Sequence, residues 1–219
     1  MSKEAKNPDL IRRFAPLEVR NIKENEQGDM QKLYTVEGVA AVVGSRTNLG
    51  WFDEIIEAGA FDDALASPDL DCRCLKNHDS NLLLARHRAN NENNTLELFI
   101  TAEQHLGFRY KTPNRSWAID LQNELETGDV DQCSFQFTIE EETWQWAENG
   151  SDENDLRTIT KVGRLLDVGP VTFPAYRDTT VGIDTEEAKR SAEAARKEQK
   201  PKAVKPLKRL RYSPLINSI

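Results

Sequence analysis

Only three histidines, His78, His87 and His105, occur in the 219 residues, and they limit which side chain this protein can activate as a nucleophile. A serine hydroxyl is weakly nucleophilic until a base within hydrogen-bond reach takes its proton, and imidazole suits that task because its pKa lies near neutrality. His87 sits in Ala-Arg-His-Arg, where basic neighbours disfavour an imidazolium, and His105 opens a Gly-containing loop. His78 closes a strand-like run and is followed by Asp79, which makes it the candidate base. The matching hydroxyl is Ser134. From Gln132 to Ile139 the chain alternates, with Cys133, Phe135, Phe137 and Ile139 on one face and Gln132, Ser134, Gln136 and Thr138 on the other. The first face is expected to be buried and the second to present the hydroxyl. A third group is needed to hold the imidazole tautomer. Asp167, a lone carboxylate in an apolar strand, and Asp79, beside the base, both qualify.

Serine, histidine and aspartate occur in almost every protein, so residue type alone favours an ordinary structural Ser134. A metal alternative would use Cys72, Cys74 and His78, but C-x-C-x₃-H lacks the usual knuckle spacing and a fourth ligand. No metal and no cofactor is assigned. Asp79, between Asn77-His78 and Ser80-Asn81, also reads as a turn former. Cys72, Cys74 and Cys133 are too few for a disulfide framework, which points to a reducing compartment.

Several short strands must position these groups. Residues 32–43 are rich in β-branched and small apolar side chains, residues 71–78 suit a strand ending at His78, Leu82–Leu84 is a short apolar strand, and Thr95–Ile100 alternates. Asp62–Ala66 has the composition of a short helix. Trp117, Leu121 and Leu125 recur at helical spacing, with Asn114 or Ser116 as candidate caps and Gly128 beyond the end. That helix leads into the Ser134 strand. Residues 140–155 read as an acidic hairpin tip with Trp144 and Trp146 on one face, followed by strands at 156–162 and from Leu165 to the prolines at 170 and 174. Short strands in quick succession suggest a barrel or a sandwich.

Three segments follow from composition: a polar lead-in over residues 1–29, a folded unit over 30–184, and a charged helix with a basic tail over 185–219. The tail is a separate electrostatic object. From Lys189 onward there are ten basic and two acidic residues, whereas residues 1–188 hold 19 basic and 35 acidic, or −16. So acidic a body is a poor match for sequence-specific nucleic-acid binding, which needs clustered Lys and Arg. No apolar run reaches the roughly 18 residues of a membrane helix, and the charged first residues argue against a secretion signal. The run at 185–200 reads as a solvated helix.

Taken together, Gly59-Ala60-Phe61, Asn77-His78-Asp79, Leu84-Ala85-Arg86, Ser134-Phe135-Gln136-Phe137 and Asp167-Val168-Gly169-Pro170-Val171-Thr172-Phe173-Pro174-Ala175-Tyr176 resemble the tailed-phage prohead (procapsid) maturation proteases in order and spacing. The resemblance covers about residues 30–183. It implies an α+β fold, mainly an antiparallel β-barrel flanked by a few helices and similar to the herpesvirus assembly proteases (assemblin). It also implies a serine endopeptidase that cuts scaffold and major capsid protein extensions, and itself, inside the procapsid in the host cytoplasm, with a homodimer as a candidate form. The family's serine falls on Ser134, its histidine on His78 and its acidic residue on Asp167, with Asp79 as competitor. Two departures stand out: Ala85 and Gly169 replace a usual glycine and serine, and Arg86 is a candidate helper for the oxyanion. A catalytically silent scaffold or assembly protein with the same fold is the alternative.

Overall fold

Alternating apolar side chains make strand the commonest regular structure among the described residues, and one long hairpin organises the strands. The computed structural model describes residues 11–16, 33–148, 151, 153–172 and 185–199. In chain order the strands are β1 (Ile11–Pro16), β2 (Thr35–Ala41), β3 (Thr47–Asn48), β4 (Phe52–Ile56), β5 (Asp71–Leu75), β6 (Leu83–Arg88), β7 (Leu96–Ile100), β8 (Leu106–Lys111), β9 (Gln132–Gln145) and β10 (Asp155–Val171). The helices are α1 (Asp62–Ala66), α2 (Ser116–Thr127) and α3 (Thr185–Gln199).

β9 and β10 pair antiparallel over almost their whole length. β1 adds to the far edge of β9, while β10 takes β4 in parallel along its first half and β5 in parallel along its second. With β3 beside β4 and β6 beside β5, this makes a seven-stranded sheet; β2, β8 and β7 form a separate antiparallel sheet of three. The expected α+β composition holds. The expected closed barrel is not found among the described residues, because β2, β8 and β7 pair only with one another and the sheet built on β9 and β10 keeps free edges at β1 and β3.

The core lies between the sheets and α2. Phe135 and Phe137 are buried with their rings stacked 5.1 Å apart, and Phe61 meets Phe135 edge-on at 6.0 Å. Each such side chain contributes about 1.5–3 kcal/mol of burial free energy, so this pair fixes the register of β9. α2 buries Ala118, Leu121 and Leu125, and Gly128 closes it in the left-handed conformation at φ 78°. Arg115 is the N-cap residue, with no side-chain cap bond, so neither Asn114 nor Ser116 holds that place.

Several sequence expectations are revised. Where a Gly-containing loop was expected to begin at His105, Leu106–Lys111 form β8, the centre of the smaller sheet. Leu106, Phe108 and Tyr110 alternate into the core, and the Phe99 ring lies across Gly107 where a Cβ would come within 2.7 Å of it. The two strands expected at 156–162 and 165 onward are one bulged strand, β10. The helix read as solvated, α3, is packed: Ala188 and Ala192 are buried against Leu49, Phe52 and Trp144. Alanines at i and i+4 give too faint an apolar stripe to register among eight charges. The lead-in contains β1, while the expected strand end from Phe173 to Tyr176 and the basic tail after Gln199 lie outside the described residues.

Candidate functional site

Ser134, His78 and Asp167 come from three elements and meet. His78 Nε2 lies 2.6 Å from Ser134 Oγ, and His78 Nδ1 lies 2.6 Å from Asp167 Oδ1, across sequence separations of 56 and 89 residues. His78 and Asp167 side chains are 9% and 5% exposed, and Ser134 is fully buried. The exposed hydroxyl expected from alternation is therefore covered: both faces of β9 from Cys133 to Thr138 are buried.

A bulge sets the carboxylate. Leu165 stands opposite Phe137 and Asp167 opposite Gln136, so Leu166 is an extra residue in β10. Without it, Asp167 would share the core face of Leu165, since side chains alternate with a period of two. The bulge transfers Asp167 to the face of Gln136 and Ser134 and sends Val168 back to the core beside Phe135. This answers the question posed by a carboxylate in an apolar strand.

The base is set by a turn. β5 stops at Leu75, and Lys76–His78 form a single 3₁₀ turn in which Asn77 and His78 adopt φ of 55° and 58°. Left-handed backbone is uncommon outside glycine, and Asn and His are among the side chains that tolerate it best. The strand expected to run to His78 thus ends three residues early, and His78 leaves the parity of Cys72 and Cys74. Two clamps hold the turn. Asn77 Oδ1 accepts from the Thr172 N–H at 2.8 Å while its Nδ2 donates to Thr172 Oγ1 at 3.2 Å, and Lys76 Nζ donates to Glu124 on α2 at 2.8 Å.

The competing assignments are placed elsewhere. Asp79 Oδ1 accepts from the Asn81 N–H and side-chain amide at 2.8 and 2.9 Å, so it is the turn former. His87 Nδ1 contacts the Leu96 carbonyl, and His105 Nδ1 accepts from the Val43 N–H. Arg86 forks onto Asp71 with bonds of 2.7 and 2.6 Å, which commits the candidate oxyanion helper to β5. Cys72 and Cys74 are buried thiols pushed well up by desolvation, and burial raises Cys133, next to the serine, to about 12, so none is a competing nucleophile at neutral pH. No group of three metal-ligating side chains gathers among the described residues. Sequence reasoning missed Asn77 and Gly169 as positioning groups. The adjacent Asn-His pair was a usable signal for the turn; nothing local marks the close approach at Gly169.

A carboxylate, an imidazole and a hydroxyl bonded in series is the arrangement by which serine hydrolases activate a nucleophile. A model of the caudovirus prohead serine protease family matches residues 18–194, and the chain belongs to that family. No curated protein matches the chain. Among solved structures it is similar to the bacteriophage T4 capsid assembly protease, with 11% identity and a TM-score of 0.48, over 77% of this chain and 100% of that one.

Proposed function

We propose that this chain is the endopeptidase of prohead maturation, with Ser134 as nucleophile, His78 as general base and then acid, and Asp167 as the group that holds the imidazole. The observation that carries this reading is the unbroken series Asp167–His78–Ser134, with 2.6 Å at each link. A neutral imidazole with its proton on Nδ1 donates to Asp167 and leaves Nε2 free to accept the Ser134 proton. Oγ then attacks the scissile carbonyl, His78 returns the proton to the leaving amine, and water hydrolyses the acyl-enzyme by the same relay.

The substrates in this reading are scaffold and major capsid protein extensions, and the chain itself, inside the procapsid. The family membership supports such an assignment. Residues 30–184 serve as the protease unit, with the herpesvirus-protease likeness carried as part of the reading. Co-expression of the chain with its scaffold and capsid protein tests it. The wild type is expected to process both, and Ser134→Ala neither; processing that persists in Ser134→Ala sinks the assignment.

A further inference from the structure

Asp167 has a charged neighbour on its own face of the sheet. Where β5 runs parallel to β10, Arg73 stands opposite Asp167 and Cys74 opposite Val168. Cys74 and Val168 are buried in the core, so Arg73 and Asp167 share the other face. Neighbouring strands lie about 4.8 Å apart, which brings a guanidinium on a long stem within reach of the carboxylate that bonds His78 Nδ1. Arg73 is turned elsewhere. Its Nη1 donates to the Asp71 carbonyl and its Nη2 to Asp71 Oδ2, both at 3.1 Å. Asp71 is gripped in turn by the Arg86 fork from β6, where Arg86 stands opposite Arg73. Those bonds from Arg86 lead in holding the Asp71 carboxyl below its ordinary value, so it is ionised at neutral pH. All three side chains are about a third exposed, and ion pairs that exposed add little to stability.

We propose that Asp71 is a positioning residue for the Asp167–His78–Ser134 series: it draws the Arg73 guanidinium toward the start of β5 and so leaves the Asp167 carboxylate to His78. Once the Asp71 charge is removed, the carboxylate standing opposite Arg73 is Asp167. That side chain is largely buried, where a charge-assisted pair is strong and weakly screened by salt. A guanidinium there offsets the charge that stabilises the imidazolium formed as His78 takes the serine proton, and it competes for the oxygens that orient the ring. The other ionisable groups around the pair, among the described side chains, are already committed. Lys76 in the turn bonds Glu124 on α2, Asp79 accepts from Asn81, and Arg13 on β1 bonds Glu54 on β4. The Cys72 and Cys74 thiols on β5 are pushed well up by burial, and β9 faces the pair with the neutral Ser134 and Gln136. Arg73 is thus the cation whose direction Asp71 decides.

The proposal rests on the reading of Ser134 as nucleophile, and the test separates the two. A serine-reactive phosphonate is added to the full chain and to Asp71→Asn, Asp71→Ala, Arg73→Gln and the double variant Asp71→Asn, Arg73→Gln. Ser134 labelling is followed by mass spectrometry from about pH 5 to about pH 9, with near-UV circular dichroism and a cooperative thermal transition as the criterion of folding. The two single Asp71 variants are expected to label on the order of 10²-fold more slowly at the plateau, with the acid limb of the profile moved down by roughly one pH unit. Arg73→Gln and the double variant are expected to stay within a few-fold of the parent and to keep its limb, because the misdirected cation is gone. A merely structural Asp71 would move neither the limb nor the rescue. Parental labelling by the Asp71 variants overturns the proposal, and so does a double variant as slow as Asp71→Asn. Failure of both single Asp71 variants to fold overturns it too, since Asp71 is then a structural hub. Absence of Ser134 labelling in the parent chain removes the nucleophile reading itself and the proposal with it.

Discussion

Gly169 stands opposite Ser134 in the β9–β10 register, and the main chain of Leu75 occupies the space where its side chain would be. A Cβ there would overlap the Leu75 carbonyl oxygen and fall 2.9 Å from the Leu75 nitrogen. The end of β5, and with it the turn bearing His78, can approach β10 this closely only across a glycine. Gly169→Ala is expected to push that turn outward, cost about 1–3 kcal/mol of stability and lower proteolytic kcat far more than KM. Urea unfolding and peptide hydrolysis measure both. A variant with parental kcat would show that the approach does not position the base.

The two aspartates near His78 make a sharp comparison. Asp167 bonds Nδ1 of the imidazole, whereas Asp79 is occupied by Asn81. Asp167→Asn is expected to lower kcat by about ten-thousandfold, as when a triad carboxylate is lost and the tautomer is no longer fixed. Asp79→Asn keeps the turn chemistry and is expected to leave kcat within a few-fold of the parent. The reverse order would make Asp79 the third member.

Asn77 is a positioning residue, because both of its side-chain bonds go to Thr172 rather than to the reacting groups. Asn77→Asp retains the acceptor for the Thr172 N–H and loses the donor, while Asn77→Ala loses both and adds left-handed strain of about 1 kcal/mol. Activity is expected to fall in the order Asn, Asp, Ala, with thermal stability changing less than kcat. Equal activity of all three would remove the clamp from the account.

What the sequence revealed follows the range of each interaction. The alternation from Cys133 to Ile139 and the spacing of Trp117, Leu121 and Leu125 are local, and both appear as β9 and α2. The resemblance named Ser134, His78 and Asp167, and the structure brings them together. The Leu166 bulge, the left-handed turn at Asn77 and His78, and the approach at Gly169 arise between strands distant in sequence, where periodicity carries no information. The covering of Ser134 by β1 was hidden for the same reason: pairing across more than a hundred residues leaves no mark in a polar lead-in.

Arg157 is fully buried and gathers Glu54, Glu142 and Glu187 from three elements, with its guanidinium 5.7 Å from the Trp144 ring. Replacing Arg157 leaves three largely buried carboxylates short of positive charge in low dielectric. Arg157→Met is expected to destabilise the fold by about 3–5 kcal/mol and to free α3, read as increased proteolytic nicking near Ala188. By contrast Lys161, on the surface between Asp63 and Glu140, should lose little on substitution by Met. A stable Arg157→Met with α3 still protected would show the cluster to be dispensable.

Glu187, the α3 member of that cluster, is held above the ordinary carboxylate value because its burial outweighs the pull of Arg157, and Glu142 adds to the rise. A raised folded-state pKa contributes stability that is full below the unfolded value of 4.5 and is lost as pH rises through the folded value. Asp71 has the opposite sign: the bonds from Arg86 lead in holding it below 3.8, so its contribution is present above that value and lost as pH falls through the folded one. Glu187→Gln removes the first effect and leaves the second. The variant is expected to be more stable than the parent at pH 7, with the advantage shrinking as pH falls toward 4.5, while both lose stability together at lower pH. Urea midpoints across that range measure the difference, and a Glu187→Gln variant less stable than the parent at pH 7 would mean that the ion pair with Arg157 outweighs the cost of burying the carboxylate.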